Sequence, residues 1–179
     1  MAYAEYCSKV EALLEELGVP ADVIGARRLA LQEEARELEL IGVGDDGREH
    51  FLVPAAARAW REMRDAARAD GIPLGVVSAF RTLERQADIV RGKVACGLSL
   101  ETILAASAPP GYSEHHTGRA IDVTTSGVRP LEEEFENTPA FEWLERNAAR
   151  FGFTLSFPRG NACGFIYEPW HWCFRVIPA

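Results

Sequence analysis

The chain has 179 residues, of which 47% are hydrophobic and 26% charged, and its formal net charge is −8. Such a length and composition describe one globular domain that buries its core without disulfide staples. The acidic balance argues against a nucleic-acid surface, which needs clustered Lys and Arg, and against a basic membrane-surface helix.

In chain order, Val10, Leu13, Leu14 and Leu17 recur at helical spacing, predicting a helix over residues 5–17 that Gly18 and Pro20 stop. A second helix is expected over residues 21–38. Residues 37–53 read as a β-hairpin turning at Asp45-Asp46-Gly47. Pro54 suits the first position of a helix running to Ala69, with Trp60 and Met63 on one face. Leu74 to Val77 reads as a buried strand that delivers Ser78-Ala79-Phe80-Arg81-Thr82 at its end. Helices are expected over 83–94, 100–106 and 141–150, and strands over 120–123, 153–157, 164–167 and 170–176. Helices and strands mix without a βαβ rhythm, so the predicted class is α+β, a small antiparallel sheet with flanking helices. Residues 1–50 read as a helical extension plus the start of the hairpin, packed on a main domain over 51–179.

No apolar run reaches the roughly 18–20 residues of a membrane span. No basic region followed by an apolar stretch marks the N-terminus, so a cytoplasmic location is expected. The cysteines, Cys7, Cys96, Cys163 and Cys173, form no C-x-x-C pair and are expected as free thiols, although Cys163 and Cys173 flank one segment and could face each other.

Three of the four histidines fall in two short segments, Ser113-Glu-His-His-Thr-Gly-Arg-Ala-Ile-Asp122 and Glu168-Pro-Trp-His171. A catalytic zinc needs three N/O ligands, an open position for water and a base beside that water. His115, His116, Asp122 and His171 offer the ligands, and Glu168 the base. Periodicity does not separate His115 from His116, because Thr117-Gly118 bends the chain before Asp122. Arg81 offers a planar fork for a carboxylate, with a structural ion pair as an equal alternative.

These motifs carry a resemblance. Ser-Ala-Phe-Arg-Thr with Gln86, the His-rich segment, Trp143, Asn147-Ala148, Phe151-Gly152-Phe153, Phe157-Pro158 and Tyr-Glu-Pro-Trp-His are similar to the VanY-type D-alanyl-D-alanine carboxypeptidases, over roughly residues 50–175. That family lies in the zinc peptidase group that includes D,D-dipeptidases, lysostaphin-like enzymes and the hedgehog N-terminal domain. The resemblance implies one Zn2+ on His115, Asp122 and His171, with Glu168 as general base. It implies Arg81 on the substrate's terminal carboxylate, Gln86 beside Arg81, Ser113 on the peptide and Trp170 as a wall. His116 stands where many relatives carry Gln. The implied substrate is a peptidoglycan peptide or muropeptide. Two alternatives stand beside this: an L-alanyl-D-glutamate-type endopeptidase, and a non-catalytic zinc-stabilised binding module. The chain departs from the family pattern at Trp172-Cys173-Phe174-Arg175 and in the loop 159–163, both bordering the site.

Overall fold

The computed structural model describes residues 3–44 and 46–175. The chain begins with helix α1 (Tyr3–Glu16) and the short α2 (Ala21–Ala26). A hairpin of β1 (Glu39–Val43) and β2 (Glu49–Leu52) leads into α3 (Pro54–Ala69), with Pro54 in its first turn. Strand β3 (Gly75–Ser78) precedes α4 (Leu83–Ala95) and α5 (Leu100–Ala106). The remainder is β4 (Ala120–Thr124), α6 (Pro139–Asn147), β5 (Phe153–Leu155) and β6 (His171–Phe174). The side chains of Thr82, Ser99 and Thr138 cap α4, α5 and α6 by accepting backbone N–H groups.

The main sheet has the order β3-β4-β6-β5, antiparallel throughout. One core lies between this sheet, α3 and α6, around Trp60, Met63, Leu144, Phe153 and Trp172. A second, smaller core joins α1 to α4 through Tyr6, Val10, Leu13, Leu83 and Ala87. Among the described residues no helix is long and apolar enough to cross a membrane. All four cysteines are free.

Three expectations change. The second helix ends at Ala26 rather than near Leu38. Beyond it the backbone of Gln32 and Ala35 donates to Gly111 O and His116 O at 2.7 and 2.8 Å, so tertiary pairing displaces local helix propensity. Residues 164–167 are irregular rather than a strand, because Ile166 N–H bonds to Ala105 O and Asn161 holds both backbone groups of Phe165. The helix expected over 141–150 begins at Pro139 and tightens into a 3-10 turn at Ala148–Phe151. The turn residue Asp45 and the strand end Val176 lie outside the described residues.

Candidate metal centre and active site

Strand register places two of the acid–base side chains together. Asp122 on β4 pairs directly with His171 on β6, and with Ser78 on β3 on its other side. His115 arrives from a 3-10 turn, Glu114–Thr117, that ends at Gly118 with φ 62°. A Cβ there would stand 3.0–3.2 Å from Leu38, Val53 and Ala35, so the turn needs glycine on both conformational and steric grounds. One ligand atom each from His115, Asp122 and His171 lies within 4.8 Å of the others, and all three residues are buried.

Hydrogen bonds set the imidazole tautomers. His115 Nδ1–H donates to Ala79 O at 2.6 Å, which leaves Nε2 as a lone-pair nitrogen 3.2 Å from Asp122 Oδ2. That Nε2 is buried and has no hydrogen-bond partner. An orphaned imidazole nitrogen facing a carboxylate and a second imidazole fits a zinc ligand set. His171 Nδ1 lies 3.0 Å from Asp122 Oδ1, while its Nε2–H donates to Glu114 Oε2 at 3.0 Å. Glu114 also accepts from Ser156 at 2.6 Å and from Arg175. This carboxylate–histidine pair orients His171 so that Nδ1 faces the centre.

His116 is built into the scaffold instead. Its Nδ1–H donates to Arg81 O at 2.7 Å and its Nε2 accepts from Gly111 N–H at 3.1 Å. Both ring nitrogens are thus used within the protein, which separates it from His115.

Charge follows this geometry. Burial and the nearby Arg81 push the His115 imidazolium down to about 4. Burial works against ionisation of Asp122 and Glu114, but their imidazole partners overcome it and hold both carboxyls well below the usual range. Burial also works against charge on His171, yet the bonds to Asp122 and Glu114 raise it to about 10.

Glu168 is buried, with Oε2 3.8 Å from His171 Nδ1. Its backbone N–H bonds to Phe157 O and its carbonyl accepts His171 N–H, a turn that holds both residues against one centre. Burial, opposed by His171, raises its carboxyl to about 7. A cavity of about 370 Å³ opens on these groups and is lined also by Arg81, Gln86, Ser113 and Trp170. Arg81 keeps a buried Nε–H without a partner. Gln86 donates to Ala108 O at 2.7 Å and leaves its own buried oxygen unpaired. The sequence reading omitted Glu114, although a carboxylate one residue before a candidate ligand was a visible signal. It also omitted Lys93, which lies two helical turns beyond Gln86 and lines the same cavity.

Two histidines, an aspartate and an adjacent carboxylate in a cleft are the ligand set and base that a mononuclear zinc peptidase requires. A family model described as VanY, D-alanyl-D-alanine carboxypeptidase, matches residues 49–177, and the chain belongs to that family. A D-alanyl-D-alanine carboxypeptidase of Enterococcus faecalis is 34% identical over 132 residues, covering 66% of this chain and 46% of the relative. The chain spans about half the length of the curated relatives it matches. Among solved structures, the LdcB LD-carboxypeptidase superposes with TM-score 0.70 at 31% identity, covering 80% of this chain and 70% of that one. The vancomycin-resistance D,D-pentapeptidase VanY, solved with Zn(II), gives 0.63 at 28% identity, covering 83% and 87%. VanYB with D-alanine-D-alanine gives 0.62 at 29% identity, covering 82% and 81%.

Proposed function

We propose that this chain is a zinc-dependent carboxypeptidase of peptidoglycan-type peptides, releasing the terminal residue from a D-alanyl-D-alanine end. The observation that carries this reading is the buried Glu168 carboxylate beside the His115–Asp122–His171 set, in one cavity with the partly unpaired Arg81. A purely structural zinc site needs neither group. Bound zinc supplies a Lewis acid and a water of lowered pKa.

The chain's own residues do the rest. Glu168 takes the proton of the attacking water and returns it to the leaving amine, a role worth typically 10²–10⁴-fold. Its carboxyl, raised to about 7, is matched to a proton that must be both accepted and given back near neutrality. Arg81 holds the terminal carboxylate and so fixes which peptide bond meets the base. Gln86 directs an acceptor oxygen toward peptide N–H, Ser113 borders the metal loop, and Trp170 forms a wall that excludes water. His115 stays fixed by Ala79 O, just beyond β3, and Asp122 by β4.

A second reading, removal of D-alanine from an L-residue as an LD-carboxypeptidase, draws on the similarity to LdcB. Hydrolysis assays separate the two. The zinc-loaded protein is offered a pentapeptide ending in D-alanyl-D-alanine and a tetrapeptide ending in L-lysyl-D-alanine, with released D-alanine as readout. Faster release from the pentapeptide supports the first reading, and release from the tetrapeptide alone supports the second. Turnover of neither peptide, with zinc bound, contradicts both. Glu168→Ala should keep zinc near stoichiometric while kcat falls by about 10²-fold or more.

A further inference from the structure

The cavity contains a second cation that the chemistry above does not use. Helix α4 presents Gln86, Ile89 and Lys93 to it, at spacings of three and four that share one helix face. Lys93 is half-buried, and its Nζ donates to Ser107 Oγ at 2.6 Å. No carboxylate among the described residues forms an ion pair with it. The other lysine of the chain, Lys9, pairs with Glu84 at 2.9 Å on the surface. A half-buried ammonium whose sole acceptor among the described residues is a hydroxyl is under-compensated for its desolvation.

Lys93 and its partner Ser107 both line the cavity, and the charges of the cleft act on the ammonium. Burial lowers the Lys93 pKa, the field of Glu168 raises it and that of Arg81 lowers it again. Lys93 therefore shares its electrostatic environment with the base and with the first cation. Within the cleft the fixed cations are Arg81 and Lys93, joined by a dication when zinc is bound, against the anions Asp122 and Glu168. Glu114 is already engaged by His171, Ser156 and Arg175. A ligand with one carboxylate leaves this cleft with surplus positive charge, and a second carboxylate balances it.

We infer that Lys93 is a specificity-determining residue that binds a second carboxylate on the substrate, roughly 10 Å along α4 from the Gln86 end of the cavity. The preferred substrate is then an acidic peptide, with one carboxylate at its terminus and another on a residue upstream of the terminal pair. At about 3.3–3.6 Å per extended residue, that reach corresponds to a side chain two or three positions from the end. This inference rests on the carboxypeptidase reading and names its substrate class.

The test uses N-acetylated peptides ending in D-alanyl-D-alanine, with an acidic residue or its side-chain amide at the third or fourth position from the C-terminus. Zinc-loaded wild-type protein should favour the acid over its amide by about ten- to a hundredfold in kcat/KM. Lys93→Gln should remove that preference by slowing the acid and leaving the amide unchanged. Binding of the same peptides to zinc-loaded Glu168→Ala should show the same preference without turnover. Equal kcat/KM for acid and amide in the wild type overturns the inference while leaving the carboxypeptidase intact. An equal loss on both peptides in Lys93→Gln also overturns it, because Lys93 would then serve the terminal carboxylate or the fold. Failure of every peptide to be cleaved refutes the D-alanyl-D-alanine reading and this inference with it.

Discussion

Glu114 Oε2 lies 3.0 Å from His171 Nε2, on the side of the ring opposite the nitrogen that faces Asp122. One carboxylate thus fixes both the tautomer and the tilt of a ligand that β6 delivers. Outer carboxylates of this kind typically change metal affinity by about 10–100-fold. Glu114→Gln should therefore weaken zinc binding within that range, as measured by competition with a chromophoric chelator. Unchanged affinity would show that β6 alone holds the ring.

The same ring gives zinc binding a pH dependence. In the metal-free protein His171 keeps its proton up to about 10, because its bonds to Asp122 and Glu114 outweigh burial. Ligation needs the neutral ring, so binding at pH 7 must release that proton. Glu168, raised to about 7 by burial, is partly protonated there, and a nearby dication drives its remaining proton off. Calorimetry at pH 7 in buffers of different ionisation enthalpy should show release of at least about one proton per zinc. Affinity should rise with pH between 6 and 9. A pH-independent affinity would contradict the arrangement.

His116 belongs to the frame around the site. It links Arg81 O to Gly111 N–H, so the ends of two loops meet on one ring. His116→Ala should keep one zinc per chain yet lose about 1–3 kcal/mol of stability, since both buried partners are left unpaired. Chemical denaturation with metal analysis checks both parts. Loss of zinc at unchanged stability would reverse the assignment.

Gly118 is the point at which the metal loop turns toward β4. Gly118→Ala adds a Cβ 3.0 Å from Leu38 and 3.1 Å from Val53, at a φ of 62°. Left-handed strain alone costs about 1–3 kcal/mol, and the crowding adds to it. Thermal denaturation should show a lowered Tm and zinc affinity should fall with it. An unperturbed Tm would show that the hairpin and residues 35–38 yield easily.

The motif spacing made the ligands legible because the chemistry is local: His115 and Asp122 sit seven residues apart, and Glu168 and His171 three apart. Turn and breaker signals made most elements legible for the same reason, as at Pro54 before α3 and at Gly18 after α1. Residues 27–38 were not legible. Their sequence favours helix, and their conformation is set by Gly111 and His116, more than 75 residues away. The choice between His115 and His116 needed the resemblance for a related reason. Adjacent imidazoles differ only in what surrounds them, Ala79 O for one and Arg81 O with Gly111 N–H for the other. Lys93 escaped notice because a lone lysine on a helix carries no signal until the opposite wall, Ser107, is placed.

The most direct test is the zinc stoichiometry of four alanine variants under one protocol, with wild-type protein as reference. His115→Ala, Asp122→Ala and His171→Ala should each lose the metal, while His116→Ala keeps one zinc per chain. Full metal retention in any of the first three would contradict the centre described here.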